Sequence, residues 1–143
     1  MHYLDAIAAF LAAAPISLGA VGSTLYAGEL PDSPDACVAL FGYGGRPPER
    51  GFGVVGAKYV TPGLRVFARG VAHDLDGPMA KAQAAFDALI AIQPDTVIGG
   101  HRYLMVNPVQ VPFQYQINGK NKDEKNRFLI VCNFLCEMEA AAA

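Results

Sequence analysis

At 143 residues the chain has the length of one domain, enough to bury roughly two thirds of its unfolded surface in a single core. Half of it (52%) is apolar, much of that alanine and short side chains, and only 17% is charged, below the roughly 25% of an average soluble domain. A net charge of -2 argues against a general nucleic-acid binder, which is usually clearly basic, and three cysteines, Cys37, Cys132 and Cys136, do not make a disulfide framework.

The N-terminus carries no basic segment ahead of an apolar core. The apolar stretch from Ala6 to Ile16 is shorter than a bilayer and is cut by Pro15, so the expectation is a soluble protein made in the cytoplasm. A first helix is predicted from His2 to Ala14. Leu4, Ile7, Leu11 and Ala14 form its apolar face, Asp5 sits near the positive end of its dipole, and Pro15 stops it. Thr24–Ala27 reads as a short strand. Cys37–Phe41 is a stronger one, bounded by Pro34-Asp35 and by Gly42-Tyr43-Gly44-Gly45.

The stretch from Gly42 to Gly63 is rich in glycine and proline and predicts no long uninterrupted element. Its length suggests a functional or partner-ordered loop. Leu64, Val66 and Ala68 then alternate with Arg65, Phe67 and Arg69, a strand with one basic face that could receive an acidic partner. A second helix runs from Asp76 to Ile92, with Asp76 as its cap and Pro78 in the first turn. Met79, Ala82, Phe86, Leu89 and Ile90 form its buried stripe, and Pro94 closes it.

Arg102–Val111 is a strand interrupted at Asn107-Pro108, which places it at an edge or gives it a bulge. Val111–Ile117 and Arg127–Met138 form a hairpin around a polar loop. That loop holds Lys120, Lys122, Lys125 and Arg127 against Asp123 and Glu124, so its tip should carry positive potential. In the closing strand Phe128, Ile130, Cys132, Phe134, Cys136 and Met138 share one face. Leu129, Val131, Asn133, Leu135 and Glu137 share the other. A strand apolar on both sides is central between layers or covered by another subunit.

Together these elements predict an α+β fold, an antiparallel or mixed sheet with two helices packed on one face, over a single domain of residues 1–139. The alanines at 140–143 read as an unstructured tail or a cloning remnant. Two helices cover one side of a sheet, so Leu129, Val131 and Leu135 on the other side are candidates for a subunit interface. Arg65, Arg69, Lys120, Lys122 and Lys125 are candidates for docking a partner.

No constellation for catalysis, metal or cofactor emerges. Cys132 and Cys136 lie about 13 Å apart on a strand, too far to close on one zinc. His73 beside Asp74 and Asp76 is explained by helix capping as well as by a general base. Gly42–Arg46 lacks phosphate-loop spacing and leads into Pro47-Pro48 instead of a helix. The expectation is a protein without enzymatic activity.

The stretch from Ser23 through Gly45, with its LPDSPD turn at Leu30–Asp35, precedes the Leu64–Arg69 strand and the second helix. The closing strand follows, with Arg127, Asn133 and Phe134. In that order these segments resemble the minor capsid and tail-terminator proteins of long-tailed, siphovirus-like bacteriophages, over about Leu4 to Met138. The resemblance implies a structural virion protein at the tail–head junction: a homo-oligomeric ring, typically a hexamer. Such a ring caps the head-proximal end of the tail tube, ends its polymerisation and offers a joining surface to the head connector or adaptor. Its partners would be the tail-tube protein and that connector, with DNA passing through the ring without sequence-specific binding. Alternatives are another neck or tail-completion component, or a prophage-encoded protein-interaction module.

Overall fold

Helix α1 (Tyr3–Ala12) and helix α2 (Asp76–Ile90) lie on the same face of a six-stranded sheet. The strands are β1 (Leu25–Ala27), β2 (Cys37–Glu49), β3 (Tyr59–Arg69), β4 (Thr96–Ile98), β5 (His101–Gln114) and β6 (Leu129–Glu139), in spatial order β1-β2-β3-β6-β5-β4. Only β1 pairs parallel with its neighbour; the rest of the sheet is antiparallel. The fold is therefore α+β with a mixed sheet, as the order of elements predicts. The computed structural model of the protein describes residues 2–49 and 59–139, with residues 47–49 in backbone only.

Alternation along the strands builds the core. Val38 and Leu40 of β2, Leu64, Val66 and Ala68 of β3, and Ile130, Cys132, Phe134, Cys136 and Met138 of β6 all point at the helices. Leu4, Ile7 and Leu11 from α1 and Ala82, Ala85 and Leu89 from α2 meet them. Fully burying a Val, Leu, Ile or Phe side chain is worth roughly 1.5–3 kcal/mol. Strand β6 is central and buried along most of both faces, so it contributes far more than the three-residue strands β1 and β4.

Helix α1 stops at Ala12, earlier than predicted, and Ala14 is exposed. A residue preceding proline is pushed out of helical conformation, and Leu18, bonded back through its N–H to the Leu11 carbonyl at 2.9 Å, fills the core beyond the helix end. At the start of α2 the capping oxygen belongs to Asp74, whose Oδ1 accepts from the Gly77 N–H at 3.1 Å, in place of the predicted Asp76. Ile90, predicted in the buried stripe, is 43% exposed, and Ala85 takes its place.

The glycine- and proline-rich stretch departs most from expectation. Residues 42–49 continue β2 as a strand paired with Tyr59–Leu64. The chain tolerates this composition by slipping register twice, between Tyr43 and Arg46 and again between Arg46 and Glu49. Gly45 makes the first slip possible: its φ is +68°, and a Cβ there would lie 2.0 Å from the Thr61 carbonyl oxygen. The middle of the stretch, residues 50–58, and the alanine tail at 140–143 lie outside the described residues. Strand β5 carries both predicted features, since its register shifts around Pro108 and β4 covers only residues 101–103 of its outer edge.

Candidate assembly surface

The sheet face opposite the helices is closed at one end by the chain's own loops. Arg69, 5% exposed, turns inward and donates from Nε to the Asp35 carbonyl at 2.9 Å and from Nη2 to the carbonyls of Pro31 and Pro34 at 2.5 and 2.8 Å. This ties the LPDSPD turn down beside β2 and β3. Leu30, Tyr115 and Ile117 come over the same end, above Leu129. Val131 is fully buried and Leu129 is 6% exposed, whereas Leu135, further along β6, is half-buried. Of the three candidate interface residues, two are thus packed inside their own subunit, and Leu135 alone reaches the surface.

Asn133, a polar residue on an otherwise apolar strand, organises the open part of this face. Its Oδ1 accepts from Arg65 Nε at 2.8 Å, and its Nδ2 donates to Gln110 Oε1. The Arg65 guanidinium also lies 5.8 Å from the Tyr43 ring centre and 5.9 Å from that of Phe67. Phe67 in turn meets Phe41 and Tyr115 edge to face, at 5.3 and 5.9 Å between ring centres.

The basic loop holds a second polar assembly. Arg127, 5% exposed, donates from Nε to Asp123 Oδ2 at 2.7 Å, from Nη2 to Asp32 Oδ1 at 2.9 Å, and from Nη1 to Asp35 Oδ1 at 3.0 Å and the Asp32 carbonyl at 2.7 Å. Lys125 Nζ pairs with the other oxygen of Asp32. Hydrogen bonds from Lys125 and then Arg127 hold the Asp32 carboxyl below its ordinary pKa. For Asp123 burial pushes upward, but hydrogen bonds from Arg127 and Lys125 outweigh it and the net shift is downward.

Of the four cations of the loop, Lys125 and Arg127 are thus paired, with Asp32, Asp35 and Asp123. Two aspartates from a turn more than ninety residues away in sequence therefore offset part of the positive charge of the loop, at Lys125 and Arg127. Lys120 is exposed, while Lys122 is half-buried, with its ammonium 5.5 Å from the Phe128 ring centre and 3.3 Å from His73 Nδ1. Arg69 and Lys125, both predicted to dock partners, instead bind the LPDSPD turn. For Lys125 the signal was in that turn, which has two aspartates and no basic residue of its own, whereas Arg69 bonds only to its backbone carbonyls, which no side chain announces.

Among the described residues no group of three His, Cys, Asp or Glu converges so as to hold a metal ion, and no helix is long and apolar enough to cross a membrane. Cys132 and Cys136 are buried, and burial alone pushes the Cys132 thiol up to about 12. Burial of this kind makes a thiol a small hydrophobe instead of a nucleophile.

The fold has a counterpart in a solved virion structure. A chain of the solved structure described as "Virion of native gene transfer agent (GTA) particle" superposes with a TM-score of 0.57 at 17% identity, covering 83% of this chain and 81% of that one. At that identity the likeness shows the fold alone. No curated protein sequence matches the chain significantly. The sequence profile described as "Bacteriophage tail terminator protein" matches residues 14–140. The chain belongs to the bacteriophage tail terminator family and is a structural protein of the phage tail.

Proposed function

We propose that the protein forms a ring, six-fold by analogy with its family, that caps the head-proximal end of the tail tube, ends tube polymerisation and presents the joining surface to the head connector. The observation that carries this reading is the family match across residues 14–140. Surface composition supports it. Met105, Val109 and Val111 on β5 are 45%, 52% and 67% exposed, on a strand whose outer edge β4 leaves uncovered beyond Tyr103. Exposed apolar residues on an open sheet edge favour association, and neighbours in a ring would cover them.

In this reading residues 1–139 act as one folded unit, with Leu135 at the contact between subunits and Arg65, Lys120 and Lys122 available to the tube or connector. DNA passes through without base-specific contact. The role asks for ordered protein surfaces and no catalytic group. Mass by light scattering, combined with negative-stain images of the purified chain mixed with tail tubes, tests it. The reading expects ring-shaped density at one end of each tube, and density scattered along the tube walls would contradict it.

A further inference from the structure

On the sheet face opposite the helices, where the covering loops meet its open part, lies a hollow of about 530 Å³ whose composition points to a particular kind of occupant. Its floor and walls are Phe41, Phe67, Tyr115, Leu30, Ile117 and Leu129. Arg65 sits among them, beside Tyr43.

Arg65 differs from every other arginine whose side chain is described. Arg46 lies 3.8 Å from Glu137, and Arg102 lies 3.3 Å from Glu139 and 3.9 Å from Asp95. Arg127 binds three aspartates, and Arg69 binds three backbone carbonyls. Arg65 bonds through Nε alone, to the neutral amide of Asn133, and among the described residues its two terminal amino groups meet no carboxylate or carbonyl. It is nevertheless held in place, by Asn133, which Gln110 fixes in turn, and by the rings of Tyr43 and Phe67. A guanidinium fixed in this way loses little conformational freedom on binding an anion, and its planar fork suits a carboxylate.

We infer that this hollow docks a segment of another protein in which an apolar or aromatic side chain stands next to a carboxylate. The ring enters among Phe41, Phe67 and Tyr115, and the carboxylate accepts from the terminal amino groups of Arg65. Charge complementarity selects this occupant: an apolar segment without an acid would bury the guanidinium unpaired, and burying a charge without a partner is costly. The assignment stands on the isolated subunit and does not depend on ring formation.

The test is an NMR titration of the isotope-labelled full chain with a short capped peptide carrying phenylalanine next to glutamate. A twin peptide has glutamine in place of the glutamate. The acidic peptide should shift the signals of the Arg65 Nε–H, Phe67 and Tyr115 and bind roughly tenfold more tightly than its twin at low salt, a preference that shrinks as salt is raised. Arg65→Gln should abolish the preference while leaving weak binding of both peptides. Equal binding of the two peptides, shifts confined to other surfaces, or no shifts at all would overturn the proposal. So would concentration-dependent shifts at the same residues without peptide, which would give the hollow to a second copy of this chain. Because the readout needs neither ring nor tube, its failure is distinct from a failure of the capping function.

Discussion

Tyr43 and Gly63 face each other across β2 and β3, and the tyrosine ring fills the space that a side chain at position 63 would need. A Cβ there would come within 2.4 Å of the ring, whose hydroxyl donates to the Phe134 carbonyl at 2.8 Å. On the other face Tyr3 of α1 donates to the Gly63 carbonyl at 2.7 Å. Two tyrosines thus anchor the point where the β2–β3 hairpin leaves the body of the sheet. Gly63→Ala should force the Tyr43 ring off β3 and cost about 1–3 kcal/mol, and Tyr43→Phe about 1 kcal/mol. Urea denaturation checks both. The double variant should cost less than the sum, because both changes remove the same bond to Phe134.

Arg127 joins the basic loop to the LPDSPD turn. Removing one side of a buried ion pair typically costs about 3–5 kcal/mol, but Asp32 and Asp35 can regain water, so Arg127→Leu should cost about 2–3 kcal/mol. The sign of its pH dependence follows from the carboxyls. Asp32 and Asp123 have folded-state pKa values below their unfolded ones, so their contribution is complete above the unfolded value of about 3.9 and is lost as pH falls through the folded values. Melting temperature of the wild type should therefore fall below about pH 4, and Arg127→Leu should lessen that fall. Equal acid sensitivity in the two proteins would refute the linkage.

Val131 and Leu135 share a face of β6 but not an environment. Val131→Asp places an unpaired charge at a fully buried position and should unfold the subunit. Leu135→Asp, at a half-buried position, should leave circular dichroism and melting nearly unchanged and reduce assembly measured by light scattering. Normal assembly of a folded Leu135→Asp protein would remove Leu135 from the subunit contact.

Lys120 and Lys122 are the loop cations that the turn aspartates do not neutralise. Exposed pairs are worth only about 0–1 kcal/mol each, so the two are best changed together, with Lys125 and Arg127 kept for their bonds to Asp32. The Lys120→Glu, Lys122→Glu variant should fold normally and bind tail tubes or connectors more weakly, with the deficit greatest at low salt. Attachment equal to wild type at low and moderate salt would make the loop a solvated tip and nothing more.

Much of the architecture was legible because it rests on periodicity. The alternation in β3 and β6 and the apolar stripes of both helices depend on neighbours two to four residues away, and the core faces follow directly. What was not legible depends on distant pairs. Nothing near Arg69 or Arg127 reveals that both guanidiniums would be satisfied by the turn at 30–35, which removes Arg69 from the surface and neutralises Lys125. Nothing near Gly42–Glu49 reveals a strand, because glycine and proline oppose one locally. Pairing with β3 and two register slips override that preference. Asn133 was visible as an exception on its strand, and its partners Arg65 and Gln110 lie on the two neighbouring strands.

Tail length is the most direct measure of the central claim. Phage particles assembled without this protein should carry tails of widely scattered, extended length unattached to heads, and supplying the wild-type chain should restore one sharp length and head joining. Tails of normal, uniform length in its absence would contradict the capping role.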